Sequence, residues 1–460
     1  MKRSFAAAVL LLAAWNSARA GDLLNFERFR RVALYQGAGE TKSVVLFVSG
    51  DGGFDELFSR LAQKIALPGV LVAAVDGPRY LKALAKAGGK CLYPASDFEG
   101  LSKYLQKKRN LDGYSRPILV GHSSGAALVY ALLAEAPPNT FQGAISLAFS
   151  PRLNFARMLC RGYEFQTSGS LRGEMAFLPA KSLQNPWIVL QGGADEVCPA
   201  AEARPFVEAV PGAGFVLLPE VGHGFKVEER WFPAYQEAFA KIADGPRVET
   251  KTEGSVKGLP LVEMKAPGAG DWMAVIVTGD GGWASIDRDI GNYLRAKEIP
   301  VVGLNSLKYF WKRREPDEMG RDLGRIINHY LEAWNKKKVV VIGYSRGADV
   351  APFMVSRLPP GASARLGGLA LLGPEHETQF EIRMKDLVGP GAKGGSQTLP
   401  EVRKLKGLKI LCVSGDKEKD SLCEDVDPSE VDVVTLRGGH HFSGDYEEVG
   451  GVIARWLGLE

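Results

Sequence analysis

Short uninterrupted runs of apolar residues alternate along the chain with longer stretches whose apolar positions recur at helical spacing. A strand without polar alternation is buried on both faces, which requires helices above and below a mostly parallel sheet. The pattern therefore predicts an α/β fold with helices on both faces of each sheet. The predicted strands form two groups, at residues 70–75, 118–120, 144–148, 187–190 and 215–218, and at residues 301–304, 339–342, 369–372, 410–413 and 433–436.

The two groups of strands belong to two copies of one domain. Four segments return in the same order at a nearly constant spacing: 44–54 as 275–283, 118–126 as 340–348, 187–195 as 409–416, and 222–225 as 439–442. Steady offsets indicate an internal duplication, and the period is far too long for a solenoid repeat. We predict an amino-terminal domain at 21–243, a polar linker at 244–258 and a carboxy-terminal domain at 259–460.

The composition is that of an ordinary globular chain. Apolar residues make up 45% and charged residues 24% of the 460 residues, which excludes a mostly disordered or fibrous protein. The formal net charge is +4, and Lys2, Arg3 and Arg19 lie in the first twenty residues, which hold no acid. The rest of the chain is nearly neutral, so we expect no nucleic-acid partner.

The amino terminus has the pattern of a secretory signal. Lys2 and Arg3 precede an Ala/Leu-rich apolar run, and Ala18-Arg19-Ala20 supplies the small residues of a cleavage site. The run is shorter than the ~18 apolar residues that a membrane span needs. We therefore expect residues 1–20 to be a signal peptide, with export to the periplasm if the cell is Gram-negative.

The cysteines predict neither a zinc nor an iron–sulfur site. They lie at positions 91, 160, 198, 412 and 423 without a paired C-x-x-C spacing, and we expect no cofactor. In an oxidising compartment one or two disulfides could form, which leaves one thiol over. The loops that hold Cys160 and Cys198 favour that pair. Cys412 lies inside an apolar run and is expected to be a buried free thiol.

Each copy contains a small-x-Ser-x-Gly turn that follows a strand and opens a helix. The turns are Gly-His-Ser-Ser-Gly at 121–125 and Gly-Tyr-Ser-Arg-Gly at 343–347. The flanking glycines let the serine adopt a sharp turn that exposes its hydroxyl at the carboxyl edge of the sheet. Such a pattern by itself is more often a glycine-rich helix start capped by serine, so the rest of the site must support it.

That support comes from an acid and a histidine that follow later strands in both copies. The chain order Ser, Asp, His is the order of the α/β-hydrolase triad. A neutral imidazole accepts the serine proton, and a carboxylate holds the other ring nitrogen. His441 competes with one of these histidines, but the alignment of Gly-His-Gly-Phe with Gly-His-His-Phe favours His440. The predicted triads are Ser123, Asp195 and His223 in the first copy, and Ser345, Asp416 and His440 in the second.

Glycine-rich loops after an early strand can supply an oxyanion hole. Both loops, at 50–53 and 279–282, read Gly-Asp-Gly-Gly, and in this fold a second amide comes from the residue after the nucleophile. A loop of this kind could also bind phosphate, but neither loop has the Lys-Ser/Thr ending of a nucleotide site. The predicted donors are the amides of Asp51 or Gly52 with Ser124, and of Asp280 or Gly281 with Arg346.

The second half resembles the VirJ family of exported bacterial proteins. The resemblance is carried by Gly-Tyr-Ser-Arg-Gly-Ala-Asp-Val at 343–350, Thr-Gly-Asp-Gly-Gly-Trp at 278–283 and Lys-Tyr-Phe-Trp at 308–311. The whole chain resembles the AcvB proteins, in which a VirJ-like domain follows a related one. The resemblance implies two tandem α/β-hydrolase domains and a periplasmic serine hydrolase that removes the amino acid from aminoacylated phosphatidylglycerol, typically the lysyl form. It maps the nucleophile, acid and base onto Ser345, Asp416 and His440.

A lipid substrate of this kind suggests further binding residues. Asp349, one helical turn past the nucleophile, and Glu375 and Glu377 could receive a cationic amino acid, although surface acids are usually just solvated. Lys308 and Trp311 belong to an aromatic and basic run at 308–314 that could contact an anionic membrane surface. The alternative for this run is a packed helix start with a solvated basic end.

Two other functions stay open. A soluble carboxylesterase for small esters would have the same fold and triad, since these do not specify what enters the pocket. A non-enzymatic binding or assembly protein could retain the hydrolase scaffold, although intact triads in both copies argue against it. Labelling by a serine-directed probe separates enzyme from binder, and hydrolysis of the aminoacylated lipid separates the two enzymes.

Overall fold

A computed structural model describes residues 20–88, 91–137, 140–160, 164–171, 173–183, 185–245, 254–268, 270–384 and 394–459. Residues 1–19 of the predicted signal peptide and residues 246–253 of the predicted linker lie outside this part of the chain. Each half has its own sheet. The domain boundaries drawn from the sequence stay a prediction.

The first half alternates strands and helices along most of its length. The elements are β1 (Ala20–Phe26), β2 (Arg30–Gln36), β3 (Ser43–Val48), α1 (Glu56–Ile65), β4 (Val70–Val75), α2 (Gly77–Leu84), α3 (Pro94–Lys108), β5 (Ile118–His122), α4 (Ser124–Glu135), β6 (Gly143–Leu147), β7 (Arg152–Asn154), β8 (Gln166–Leu171), β9 (Glu174–Leu178), β10 (Trp187–Gly192), α5 (Ala200–Glu208), β11 (Gly214–Leu218) and α6 (Phe232–Ala243).

The second half repeats this succession. Its elements are β12 (Leu261–Met264), β13 (Trp272–Val277), α7 (Ser285–Ala296), β14 (Val301–Leu304), α8 (Ser306–Tyr309), α9 (Pro316–Ala333), β15 (Lys338–Tyr344), α10 (Arg346–Val355), α11 (Pro360–Ser363), β16 (Leu366–Leu372), β17 (Glu377–Thr378), β18 (Ser396–Gln397), α12 (Thr398–Val402), β19 (Ile410–Gly415), β20 (Asp432–Leu436) and α13 (Tyr446–Leu457).

The two large sheets have matching strand orders. The first sheet runs β1-β2-β4-β3-β5-β6-β10-β11 and the second runs β12-β14-β13-β15-β16-β19-β20. Among the described strands, β1, β2 and β12 form the antiparallel edge of their sheets and the remaining neighbours are parallel. The second sheet thus corresponds to the first without β1. This is the strand order of the α/β-hydrolase fold, so the predicted fold class is confirmed for both halves.

The core of each half lies on both faces of its sheet, because the central strands carry apolar residues at every position. The strand residues 70–75 and 339–342 are 2% exposed or less. The helices that follow the two serines, α4 and α10, are buried on nearly all sides, from Gly125 to Glu135 and from Gly347 to Val355. Each serine therefore lies at the point where a buried strand enters a buried helix. Among the described residues, none of the helices has both the length and the apolarity to cross a membrane.

The disulfides differ from the expected ones. Cys91 is bonded to Cys160, whose Cα atom lies 4.9 Å away, and Cys412 is bonded to Cys423 at a Cα distance of 5.6 Å. Cys198 is the buried free thiol. The expected Cys160–Cys198 pair is wrong because backbone hydrogen bonds at Leu92 place Cys91 beside Cys160. The expected free thiol at Cys412 is wrong because the turn at Leu422–Glu424 packs against β19.

The two halves touch through the turn that follows α3. The Trp311 indole donates a 2.8 Å hydrogen bond to the carbonyl of Leu111, and its ring lies 5.4 Å from that of Tyr114. Tyr114 is 5% exposed and packs with core residues of the second half. Lys312 forms a 2.7 Å ion pair with Asp112 at the rim of this contact. A residue of the first half thus completes the core of the second.

Candidate active sites

The turn at Ser123 is strained in the way that a nucleophile requires. The serine has φ 56° and ψ −124°, a conformation that L-residues rarely adopt. Its neighbours must be glycines, because a Cβ atom on Gly121 would lie 2.1 Å from the carbonyl oxygen of Gly125. A Cβ atom on Gly125 would lie 2.3 Å from the carbonyl oxygen of Val48. The tight packing of β5, α4 and β3 therefore enforces this turn.

The turn at Ser345 has the same geometry. The serine has φ 52° and ψ −124°. A Cβ atom on Gly343 would lie 2.4 Å from the carbonyl oxygen of Gly347, and one on Gly347 would lie 1.9 Å from the carbonyl oxygen of Val277. Both halves thus present a serine hydroxyl at the carboxyl edge of the sheet, which is the placement of a nucleophile elbow.

The first half brings Ser123, His223 and Asp195 into one hydrogen-bonded chain. His223 Nε2 lies 3.1 Å from Ser123 Oγ, and His223 Nδ1 lies 3.0 Å from Asp195 Oδ2. Burial raises the pKa of the Asp195 carboxyl, but hydrogen bonds from His223 and the amides of Cys198 and Val197 outweigh it and lower the pKa. The carboxylate stays ionised and fixes the proton on Nδ1, which leaves Nε2 free to accept the serine proton.

The thiol of Cys198 belongs to the same loop as the acid. The Cys198 amide donates to Asp195 Oδ1 at 2.8 Å, and the Cys198 carbonyl accepts from Gln191 Nε2 at 2.5 Å. Burial and the nearby carboxylates raise the pKa of this thiol to about 12. A protonated thiol is a weak nucleophile. Ser123, rather than Cys198, is therefore the nucleophile that this geometry supports.

In the second half the carboxylate that holds the histidine is Glu418, and the prediction of Asp416 is wrong. His440 Nδ1 lies 2.5 Å from Glu418 Oε1, and Glu418 Oε2 accepts from the amide of Gly415 at 3.1 Å. Asp416 is exposed and its Oδ1 instead accepts from the amide of Gly438 at 2.7 Å. Asp416 therefore anchors the loop that leads to His440 without touching the imidazole.

Strand register explains why the acid is Glu418. Gly192 pairs with Leu218 at the end of β10, and Gly415 pairs with Leu436 at the end of β19, so the two glycines are equivalent. Asp195 and Glu418 are each the third residue after that glycine. The signal was present in the sequence as Gly-x-x-acid in both copies, but the Gly-Asp pair immediately after β19 obscured it.

The serine and histidine of the second half are less tightly joined. Within the part of the chain that the structure describes, no hydrogen bond joins Ser345 Oγ to His440, in contrast to the first half. The hydrogen bond to Glu418 outweighs burial and raises the pKa of His440. Catalytic hydrogen bonds are commonly long before substrate binds, so the geometry is compatible with a resting site.

The residue before each serine positions the histidine loop, a role that sequence reasoning missed. His122 Nε2 donates to the carbonyl of His223 at 2.8 Å. In the second half, the Tyr344 hydroxyl lies 3.3 Å from the carbonyl oxygen of His440 and 2.8 Å from Nδ1 of His441. His441 thus contacts Tyr344 while His440 contacts the acid, which agrees with the choice of His440. Two different side chains perform the same positioning in the two copies.

The Gly-Asp-Gly-Gly loops lie against the serines. A Cβ atom on Gly50 would be 2.8 Å from the Cβ atom of Ser123, and one on Gly279 would be 3.5 Å from that of Ser345. Ser124 and Arg346 are the first residues of their helices, where amide groups lack intrahelical acceptors. The predicted donors follow these glycines and serines directly in the chain: the exposed loop residues Asp51, Gly52, Asp280 and Gly281, together with Ser124 and Arg346. Their role as oxyanion donors stays a prediction.

Two of the predicted binding acids have structural roles instead. Asp349 is 5% exposed, accepts the amide of Glu375 at 2.7 Å, and has a pKa that burial raises well above the usual range. A neutral carboxyl cannot pair with a cation, so Asp349 positions the following loop. Glu377 accepts from the amides of Gly394 and Gly395 and from Gln397, which ties β17 to β18. Both predictions of direct substrate contact are therefore corrected.

Glu375 is near enough to the second site for its charge to act there. Its side chain is exposed, and its charge acts on both His440 and Asp349. The charge of Asp280 acts on the same two groups, and Glu418 touches His440 directly. His440 therefore has acidic neighbours, of which Glu375 and Asp280 are exposed.

The aromatic side chains of the predicted membrane patch are buried. Trp311 is 2% exposed and lies in the contact between the halves, where its ring also receives the Lys107 ammonium. The other aromatic residues of this run are buried as well, and the basic side chains of Lys312, Arg313 and Arg314 pair with acids. Lys308 is half-buried, and its amide donates to the cap residue of α8. The run is thus a packed helix start whose basic end is exposed at Lys312 and Arg313, which is the alternative that the sequence left open.

Comparison with known proteins finds a family profile that matches most of the second half. Residues 271–457 match the profile of a family described as bacterial virulence protein (VirJ). No curated protein sequence matches the chain. Among solved structures, the esterase domain of a Rhodothermus marinus protein is 14% identical, with 48% of this chain and 97% of that one covered at a TM-score of 0.32. Est1E from Butyrivibrio proteoclasticus is 13% identical, with 49% of this chain and 99% of that one covered at a TM-score of 0.33. A lidless α/β serine hydrolase from Xanthomonas campestris is 16% identical, with 49% of this chain and 95% of that one covered at a TM-score of 0.31.

Proposed function

We propose that this chain is a serine hydrolase whose second half, matched by the VirJ family profile at residues 271–457, cleaves the ester of an aminoacylated phosphatidylglycerol, with the lysyl form preferred. The single observation that carries the choice of substrate is the acidic surroundings of His440. Glu375 and Asp280 are exposed and act on that imidazole. An ester of a cationic amino acid would be drawn to such a site.

The chemistry follows from the residues. Ser345 attacks the ester carbonyl while His440 takes its proton, and Glu418 holds the imidazole in the tautomer that can accept it. The amides of Arg346 and of the loop at 279–282 stabilise the negative oxygen of the tetrahedral intermediate. His440 then protonates the leaving glycerol oxygen, and water releases the amino acid from Ser345 by the same steps in reverse.

The location of the reaction is part of the proposal. Lysyl-phosphatidylglycerol is a membrane lipid, so the enzyme would meet it at a membrane surface, and the amino-terminal signal pattern supports the periplasmic side. The aromatic side chains of the run at 308–314 do not supply this contact, because they are buried. The lipid headgroup would instead reach Ser345 at the carboxyl edge of the second sheet, where this serine is half-buried.

The test is amino-acid release from vesicles. Purified protein is mixed with vesicles that contain lysyl-phosphatidylglycerol, and free lysine is measured over time. We expect steady release by the wild type and a loss of about a thousandfold or more in Ser345→Ala. Ser363→Ala, an exposed serine of the same half, serves as the matched control for a serine substitution.

A second arm separates this function from a general carboxylesterase. Hydrolysis of p-nitrophenyl acetate without lysine release from vesicles would refute the lipid as the substrate and would support a general carboxylesterase. Labelling of neither serine by a fluorophosphonate would refute the enzyme altogether and favour a binding protein on this scaffold. Glu375→Gln should raise KM for the lysyl lipid while leaving KM for the neutral acetate ester unchanged, because only the former carries an extra cation.

A further inference from the structure

Three metal-ligating side chains converge in the first active site. A ligand atom from each of Asp195, Cys198 and His223 lies within 4.8 Å of the others. Asp195 and Cys198 are 5% and 6% exposed. A carboxylate oxygen, an imidazole nitrogen and a thiolate sulfur are the three ligand types that zinc prefers. The triad acid and base thus supply two of three potential zinc ligands, and Cys198 in the loop supplies the third.

The thiol is held in place by the same bonds that hold the acid. The Cys198 amide is bound to Asp195 and its carbonyl to Gln191, whose own Oε1 accepts from the amide of Phe149 at 2.9 Å. The short segment between acid and cysteine therefore has little freedom. Ligands of one tetrahedral zinc ion lie roughly 3 to 4 Å apart, so only a small adjustment of side chains is needed.

We propose that the first active site binds Zn²⁺ through Asp195, Cys198 and His223, and that the bound ion switches off Ser123 without affecting Ser345. The cation replaces the thiol proton, which is released to solvent, and the carboxylate and the neutral imidazole complete three protein ligands. Water fills the remaining position. The charges of the thiolate and the carboxylate balance those of the ion.

Inhibition follows whichever ring nitrogen binds. Coordination at Nε2 occupies the lone pair that must accept the proton of Ser123. Coordination at Nδ1 forces the single ring proton onto Nε2, which then donates to Ser123 Oγ and cannot accept from it. In both cases the imidazole ceases to be a base.

The second half provides an internal control. The position equivalent to Cys198, the sixth residue after the strand-end glycine, is Ser421. The cysteines of that half, Cys412 and Cys423, are bonded to each other. Zn²⁺ therefore meets a cysteine that is free to bind it only in the first site, since the other four cysteines, all within the described residues, form disulfides.

A spectroscopic experiment tests the ligand set without reference to activity. The untagged protein is titrated with Co²⁺ as a zinc substitute, and the thiolate-to-cobalt charge-transfer band is recorded in the near ultraviolet. In the wild type we expect the band to reach its full intensity at one equivalent of Co²⁺ and to disappear when Zn²⁺ is added. We expect no band in Cys198→Ala or in the closer isostere Cys198→Ser. Circular dichroism establishes that each variant is folded. Absence of the band from the wild type, or its persistence in both variants, would overturn the site.

A labelling experiment tests the consequence. Ser345→Ala retains Ser123 alone, and Ser123→Ala retains Ser345 alone, so a fluorophosphonate reports each serine separately. The quantity measured is the ratio of labelling rates with Zn²⁺ and with EDTA. We expect Zn²⁺ to lower the rate at Ser123 by at least ~tenfold and to leave the ratio at Ser345 near one. Equal loss at both serines, or none at Ser123, would refute the switch. Neither result bears on lysine release by Ser345.

Discussion

The identity of the acid in the second active site can be tested by exchanging one carboxyl group for an amide. In Glu418→Gln, the amide nitrogen would donate to Nδ1 of His440 in place of the oxygen that now lies 2.5 Å away. The ring proton would then sit on Nε2, where it blocks acceptance of the Ser345 proton. Loss of the correct tautomer lowers kcat by roughly 10³ to 10⁴ in triads of this type, which corresponds to about 4 to 5.5 kcal/mol of transition-state stabilisation.

The assay is ester hydrolysis by Ser345 in a Ser123→Ala background, followed with p-nitrophenyl acetate and with lysyl-phosphatidylglycerol. Asp416→Asn is the matched control, because its remaining oxygen can still accept from the Gly438 amide. We expect that variant to retain activity within about tenfold. A larger loss in Asp416→Asn than in Glu418→Gln would show that the acid was wrongly assigned.

The same variant should change the pH profile. Hydrolysis needs neutral His440, so kcat/KM rises with pH through the pKa of that residue. The hydrogen bond to Glu418 raises this pKa. Its removal should therefore move the acidic limb of the profile to lower pH. An unmoved limb would mean that another group sets the profile.

Three further predictions concern the fold. Gly347→Ala places a Cβ atom 1.9 Å from a backbone carbonyl oxygen of β13 and should lower the free energy of unfolding, measured with urea, by about 3 kcal/mol. The control Gly361→Ala has open space around the new Cβ atom and should leave that free energy almost unchanged. Equal effects of the two substitutions would contradict the packing argument. Burial raises the pKa of Asp287 to about 7, so the folded state binds the extra proton and the unfolding free energy should fall by up to ~4 kcal/mol between pH ~4 and pH ~7. Asp287→Asn should flatten that slope, and a wild type without the slope would contradict the pKa. Trp311→Ala should lower the free energy of unfolding, measured by calorimetry, by about 3 kcal/mol. Lys312→Ala, which removes only the exposed ion pair with Asp112, should lower it by less than ~1 kcal/mol. A smaller loss in the tryptophan variant than in the lysine variant would contradict the contact between the halves.

The repeated architecture could be predicted because its signals are local. The apolar runs mark strands that the sheets use, and glycines around Ser123 and Ser345 are dictated by contacts below 3 Å. The glycines that these contacts require stand next to each serine in the sequence, so the buried strands and both nucleophile turns could be predicted. The order of the strands in each sheet was not predicted.

The acid of the second site could not be found in the same way, because it depends on where a strand ends. Asp416 and Glu418 lie two positions apart and both face the histidine loop, as their bonds to Gly438 and His440 show. Only the pairing of Gly415 with Leu436 identifies which carboxylate is equivalent to Asp195. Residue type alone therefore left the choice undecided.

Long-range packing accounts for the other corrections. The run around Trp311 has the composition of a membrane-facing surface, but the first half of the chain covers the Trp311 ring. Asp349 has the sequence position of a binding acid, but the loop at Glu375 seals it from water. Both outcomes depend on residues that are distant in sequence, and no local pattern reports them.

The unfavourable backbone angles at both serines carry a consequence for how this protein could change over time. Each positive φ costs the native state on the order of 1 to 3 kcal/mol that glycine at the same position would recover. A copy relieved of its chemical duty would therefore gain thermal resistance from a single serine-to-glycine exchange. Both halves nevertheless have serine at this position, although glycine would make the native state more stable.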